Sequence, residues 1–230
     1  MPWTAPAIAN PPDLDTELDT LLSRGAAALG LGVTPGQQTQ LLAYLALLCK
    51  WNQAYNLTAV RDPAAMVTRH LLDSLAVAPW LHGSLCIDVG TGAGLPGVPL
   101  AIMFPEREFH LLDSNGKKTR FLFQVKTGLA LPNITIHQAR VEAFRPARRF
   151  DVVLSRAFAS LADMVAATRH LLQPEGVLLA MKGACPDDEI RALAGDCRLQ
   201  GVHPLSVPGL DEQRHLVELS LAATDILNPH

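Results

Sequence analysis

Between Ile87 and Gly97 the chain reads Ile-Asp-Val-Gly-Thr-Gly-Ala-Gly-Leu-Pro-Gly, an apolar strand running straight into a glycine-rich turn and then a helix. Glycines there let the backbone turn sharply and let a ligand approach without interference from Cβ atoms. The helix that follows offers unpaired N–H groups and the positive end of its dipole, which suits a carboxylate or a phosphate. Asp88 stands two residues before Gly90, and an acid at that place suits a cationic amino group on the ligand. Asp113 ends the next strand at the distance where an acidic residue receives ribose hydroxyls in nucleotide folds. Asp88, Gly90, Gly92, Gly94 and Asp113 therefore point to a nucleoside that carries an amino-acid tail, S-adenosylmethionine.

The same glycines allow another chemistry. Gly92, Gly94 and Gly97 spell GxGxxG, and Asp113 would serve either cofactor, so a nicotinamide-dependent oxidoreductase stays open. Asp88 and the lack of a second domain carrying a hydride-transfer acid–base residue favour methyl transfer. A non-catalytic RNA-binding module with a relic pocket is a third reading.

Charge adds a second signal. The net charge of −3 excludes a uniformly basic nucleic-acid binder. Yet nine basic residues lie between Lys117 and Arg156, opposed only by Glu142 and Asp151. Lys117, Lys118, Arg120, Arg140 and Lys182 fall near strand ends and are expected to grip RNA phosphates. Lys126, Arg145, Arg148 and Arg149 read as solvated surface, and Phe158 as the aromatic that touches a target base. His70 lies in an apolar stripe and reads as a packed helix histidine.

The elements that must position these residues fall into three parts. Residues 1–12 read as a flexible tail, 13–82 as a helical region packed on the core, and 83–230 as the cofactor-binding domain. Asp13 is expected to cap a first helix, with Leu14, Leu18, Leu21, Leu22 and Leu29 at helical spacing and Gly30 and Gly32 ending it. A second helix is expected from about Pro35 to Gln53, and Asp62-Pro63 opens a third with Met66, Val67, Leu71, Leu75 and Ala78 on one face. Strands are expected at Leu85–Val89, Glu108–Asp113, Ile134–His137, Asp151–Ser155, Val177–Lys182, Leu199–Val207 and His215–Ala222, with helices in the gaps between the first five. Too few residues separate the last two strands for a crossover, so they should form an antiparallel hairpin. The fold class is α/β: a Rossmann-like seven-stranded sheet of the methyltransferase kind with an N-terminal helical extension.

Further sequence resembles one family. Trp51-Asn52, Asn56-Leu57-Thr58, Arg69-His70-Leu71-Leu72-Asp73-Ser74, Asp88 to Gly97, Leu112-Asp113-Ser114 with Lys117-Lys118, Phe121-Leu122, Arg140-Val141-Glu142, Ser155-Arg156-Ala157 and Lys182-Gly183 together resemble the bacterial glucose-inhibited division protein B family, 16S ribosomal RNA guanine-N7 methyltransferases. The resemblance implies S-adenosylmethionine contacts at Gly90, Leu95, the Val141-Glu142 pair and Arg156. It implies a guanine of 16S ribosomal RNA, free or in the small ribosomal subunit, as partner. Many relatives carry alanine where this chain has Val141.

Guanine N7 bears a lone pair and no proton, so this chemistry needs positioning and water exclusion, with no catalytic general base. Exocyclic amino methyltransferases commonly carry Asn/Asp-Pro-Pro-aromatic after the fourth strand; here the residues are Ser155-Arg156-Ala157-Phe158. Lys182 could serve as a base for ribose methylation, which therefore stays open. Cys49, Cys86, Cys185 and Cys197 form no CxxC pair and no zinc pattern, so no metal is expected. No apolar run is long enough to span a bilayer, and the start lacks a secretory pattern, so a cytoplasmic, membrane-free monomer is expected.

Overall fold

The computed structural model describes residues 12–156, 158–193, 195 and 197–222. The expected tail, up to residue 11, lies outside them, as does Ala157.

Seven strands form one sheet in the order β3-β2-β1-β4-β5-β7-β6. They are β1 (Leu85–Val89), β2 (Glu108–Asp113), β3 (Ile134–Gln138), β4 (Phe150–Ser155), β5 (Leu172–Lys182), β6 (Cys197–Pro204) and β7 (His215–Leu221). The first five are parallel, while β7 runs antiparallel to both β5 and β6. The sheet order reverses direction at β1, so the crevice between the β1 and β4 ends is where such sheets take ligands.

The helices are α1 (Pro12–Ala28), α2 (Pro35–Tyr55), α3 (Pro63–Met66), α4 (Asp73–Leu75), α5 (Gly97–Met103), α6 (Gly116–Gly128), α7 (Leu161–Thr168) and α8 (Asp187–Arg191). Asp13, expected to cap the first helix, stands within α1, and its side chain lies outside what the structure describes. Helix α2 starts one residue past Thr34, whose hydroxyl accepts from the Gln37 N–H while the Gln37 side chain accepts from the Thr34 N–H. This reciprocal pairing satisfies two donors that a helix start leaves open. Asp62 caps α3 as expected, accepting from the Ala65 N–H at 2.7 Å. Between α3 and α4 the backbone widens into a π-helical segment, Val67–Leu72. Such segments recur at functional sites, and this one carries Arg69 and His70 and leads into Asp73.

One expected helix is absent. Between β3 and β4 the chain forms only a 3-10 turn at Val141–Ala143. Pro146 explains it: proline has no N–H to give a helix, and it pushes Arg145 out of the helical region.

Helix α2 holds the glycine turn's surroundings in place. Every residue of α5 is buried between the sheet and this helical layer. Its C-terminal carbonyls, Ile102 O and Met103 O, accept from Gln37 Nε2, and Gln40 Nε2 donates to Leu129 O at the end of α6. Buried carbonyls at helix ends need such partners. Trp51 and Tyr44 pack against Phe121 of α6. The fully buried Tyr44 hydroxyl donates to Ala93 O, inside the glycine turn, at 2.8 Å. One apolar cluster runs from Leu18 and Leu22 in α1 through α2 and α5 to Val152 and Leu154 of β4. The opposite sheet face packs on Leu161, Met164 and Val165 of α7.

Candidate functional site: a glycine turn and an arginine cleft at one sheet edge

Strand β1 delivers Asp88 and Gly90 to the carboxyl edge because Leu85–Val89 is buried on both faces between β2 and β4. The turn that follows is then tied to its neighbours. Gly90 N–H and Thr91 N–H both donate to Leu112 O at the end of β2. Ser155 Oγ, at the end of β4, donates to Val89 O at 2.7 Å.

Gly90, Gly92 and Gly94 all have positive φ, at 69°, 62° and 95°. Any other residue there would be strained. At Gly94 a Cβ would also lie 2.5 Å from Val98 Cγ2 and 2.9 Å from Leu122 Cδ2, so packing excludes a side chain as well. At Gly92 a Cβ would have no heavy atom nearer than 3.9 Å, which leaves its outer side open. Leu95 is buried beneath the turn.

The two acids hold the turn from opposite sides. Asp88 Oδ2 accepts from Thr91 Oγ1 at 2.7 Å and from the Gly97 N–H at 2.9 Å. Burial pushes its carboxyl up to about 6, against the opposing pull of those two hydrogen bonds. Its other oxygen, Oδ1, is buried with no partner among the described residues. Asp113 Oδ2 accepts from the Gly92 N–H at 3.0 Å and Oδ1 from the Asn115 N–H at 2.8 Å, with Lys118 Nζ 3.5 Å from Oδ2. Asp113 therefore fastens the β1 turn to the start of α6.

A cleft of about 320 Å³ opens beside this turn. Gly90, Asp113, Lys118, Arg140, Val141, Glu142 and Phe158 line it, so these expected site residues meet in one place. S-adenosylmethionine fits the residues present. A cationic amino group would satisfy the orphaned Asp88 oxygen, whose burial otherwise carries a penalty. A carboxylate has about four acceptor positions, so Asp113 keeps room for ribose hydroxyls beyond its two backbone donors.

Of the expected residues, Asp88, Gly92, Gly94 and Leu95 belong to the turn but not to this lining, and four others stand elsewhere. Lys117 and Arg120 are exposed on α6, outside the cleft lining. Lys182, expected at RNA phosphates, lines a second cleft described below, where its ammonium is held in place. Its Nζ donates to Glu189 Oε2 at 2.9 Å and to Phe158 O and Ala159 O, and its side chain is only 12% exposed. Arg156, expected at the cofactor, pairs with Asp73 Oδ2 at 3.2 Å, while its positive charge also acts on the Asp88 carboxyl.

That contact belongs to a second cleft, of about 340 Å³, which sequence reasoning missed. It is lined by Thr58, Arg69, Asp73, Arg156 and Arg214, over the ends of β4 and β5. The buried Asp73 carboxylate accepts from Arg156 on one oxygen and from Arg214 Nε on the other, both at 3.2 Å. Burial raises its carboxyl and the two guanidiniums pull it back down. His70 is buried in the wall, its Nε2 2.9 Å from Thr58 Oγ1, and burial lowers its pKa. It is a packed histidine, as expected. The strand order places this cleft beside the glycine turn, with Arg156 lining one cleft and Phe158 the other.

The sheet is shared with solved methyltransferases. The glycopeptide N-methyltransferase MtfA complexed with S-adenosyl-L-methionine superposes with a TM-score of 0.58 at 14% identity, over 67% of this chain and 88% of that one. Closer relatives are found by sequence. The ribosomal RNA small subunit methyltransferase G of Stutzerimonas stutzeri (strain A1501) is 60% identical over 200 residues, covering 86% of this chain and 93% of that protein. Its counterpart in Cellvibrio japonicus (strain Ueda107) is 55% identical, covering 90% and 97%. The model of the GidB family, described as rRNA small subunit methyltransferase G, matches residues 37–217, which takes in both clefts and the sheet as far as the first residues of β7. A match of that extent, with relatives this similar aligned along nearly their whole length, settles the placement: the chain belongs to the GidB family.

Proposed function

We infer that this protein transfers a methyl group from S-adenosylmethionine to N7 of a guanine in 16S ribosomal RNA of the small ribosomal subunit. The observation that carries the reading is the pairing of the two clefts: a glycine turn with an orphaned acid, adjoined by an arginine-lined cavity, in a chain of this family. Family membership sets aside the oxidoreductase and relic-pocket alternatives.

When bound, S-adenosylmethionine supplies a methyl group on a cationic sulfur, open to attack by a lone pair. Guanine N7 has that lone pair and no proton to lose, so the work of the chain is placement. Asp88 and Asp113 fix the turn and offer acceptors for an amino group and a ribose. Val141 and Phe158 give the cleft apolar walls that exclude water. The arginine cleft holds the acceptor nucleotide across the Arg156–Phe158 divide. Lys182 spends its N–H groups on Glu189 and two carbonyls, so it braces the divide rather than serving as a base for ribose methylation. Lys118 and Arg140, at the mouth, and Lys117 and Arg120, further out on α6, form the basic rim that meets RNA phosphates.

The reading takes the working form as a cytoplasmic monomer without a metal. Among the described residues no group of side chains is placed to hold a metal ion, and no helix is long and apolar enough to cross a membrane. Sedimentation and elemental analysis check it. For the reaction, unmethylated 16S RNA and intact small subunits are incubated with methyl-labelled cofactor, digested to nucleosides and separated. Label in 7-methylguanosine is expected; label in any other nucleoside, or none, overturns the assignment.

A further inference from the structure

Two arginines of the cleft already hold an anion that lines the neighbouring cavity. Arg69 lies in the π-helical segment and Arg214 just before β7, yet both converge on Glu212. Arg69 Nη2 donates to Glu212 Oε1 at 2.5 Å, and Arg214 Nη2 to Oε2 at 3.0 Å. Two guanidiniums sharing the two oxygens of one anion is the arrangement in which arginines bind a phosphate. Glu212 is well exposed, its side chain at 47%, on the loop between β6 and β7. Exposed pairs of this kind contribute little to stability, so holding the fold is a weak reason for the arrangement. The arginines differ in freedom. Arg214 is also pinned by Asp73 and by the Gln213 carbonyl, while Arg69 is 41% exposed at the mouth. Around the cleft, Arg69, Arg156 and Arg214 face Asp73 and Glu212, with Lys182 neutralised by Glu189. Moving Glu212 aside leaves three guanidiniums against one buried carboxylate, an anion site open to solvent.

We propose that Arg69 and Arg214 form the phosphate subsite for the RNA strand bearing the target guanosine, and that Glu212 occupies it in the free protein as a surrogate that an RNA phosphodiester displaces. This rests on the reading of the arginine cleft as the acceptor site. The exchange swaps one bidentate anion for another, so the arginines never stand without a partner. It also sets a threshold: an isolated anion competes poorly with a tethered carboxylate, whereas a strand held elsewhere along the basic rim delivers its phosphate at high local concentration.

The test is RNA affinity, because its sign separates a surrogate from a strut. Glu212→Gln keeps the shape of the side chain and removes its charge. If the surrogate is seated in about nine-tenths of free molecules, removing it lowers the apparent dissociation constant about tenfold. The dependence on salt should steepen, because the freed arginines now release counterions on binding. Asp211→Asn is the control: it removes the same charge one residue away on the same exposed loop, so it measures the general electrostatic effect. The probe is in vitro-transcribed 16S RNA in a fluorescence anisotropy titration, with melting temperature and cofactor affinity measured alongside. The expected result is tighter binding by Glu212→Gln than by Asp211→Asn, with cofactor affinity unchanged. In an Arg69→Ala background the gain from Glu212→Gln should shrink. A Glu212→Gln protein that binds RNA no tighter than the Asp211→Asn control overturns the proposal, as does weaker binding together with a lower melting temperature. Should wild-type protein fail to methylate 16S RNA at all, the functional reading falls first; should it methylate normally while Glu212→Gln gains nothing, only the surrogate falls.

Discussion

Replacing Asp113 by asparagine tests the fastening of the glycine turn with almost no change of shape. Both carboxylate oxygens accept a backbone N–H, from Gly92 and from Asn115. An amide has one oxygen, so one of those donors must face an NH₂ group instead. Leaving that donor unpaired costs about 1–3 kcal/mol in the free protein. At about 2–4 °C per kcal/mol for a chain of this size, the melting temperature should fall by about 2–12 °C. The cofactor also loses at least one charge-assisted bond to its ribose, worth about 1.5–3 kcal/mol. At about 1.4 kcal/mol per factor of ten, affinity should weaken about 10- to 100-fold. Titration calorimetry with S-adenosylhomocysteine, paired with a thermal melt, reads both effects. Asp113→Ala, which removes every acceptor, should weaken binding further. A folded Asp113→Asn protein with an unchanged dissociation constant would refute the assignment of this carboxylate to the cofactor.

Three further outcomes follow from the same geometry. Gly92→Val should abolish cofactor binding; in thermal melts Gly92→Ala, strained only by its positive φ, should lose less than Gly94→Ala, whose Cβ also meets Val98. Comparable melts for the two would contradict the packing argument. Lys117→Ala should weaken 16S RNA binding and leave cofactor affinity alone, whereas Lys118→Ala should reduce both, since Lys118 Nζ lies beside Asp113 Oδ2; equal effects of the two on cofactor titrations would tell against this division. Burial raises Asp88 to about 6, and a cationic amino group binds the ionised form, so cofactor affinity should fall as pH drops below about 6. Asp88→Asn should flatten that profile. The sign for folding is opposite: a raised carboxyl favours its protonated folded form, so Asp88 stabilises most below its ordinary pKa of 3.8, and that contribution is lost as pH rises through about 6.

The sheet was readable in the sequence because its strands are short apolar runs with hard stops. Leu85–Val89 and Glu108–Asp113 end where expected, at a glycine turn and at a polar capped helix start. Boundaries set by local chemistry were harder. The β6 strand ends at Pro204, short of Val207, and the gap between β3 and β4 is too disturbed by Pro146 to form a helix. The glycine turn was legible because its residues are neighbours in the chain. The arginine cleft was not: Arg69 and Glu212 are separated by 143 positions, and Asp73 lies 83 from Arg156 and 141 from Arg214. No local spacing announces such a cluster. The partner of Lys182 was hidden for a similar reason, since a lysine at a strand end reads as exposed until Glu189 is seen folding back on it.

The bond from Tyr44 to Ala93 also has a consequence for synthesis. Its two ends are separated by 49 positions, so α2 leaves the ribosome well before the turn it supports exists. At about 5–20 residues per second, the wait is about 2–10 s. Throughout it Leu41, Leu45 and Leu48, which end up fully covered, lack the α5 surface they will pack against. Helix α1 is available sooner, and Gln38 of α2 already has a partner there in Asp19. The order of emergence thus favours a helical pair that forms first and serves as the mould on which the newborn glycine turn is set.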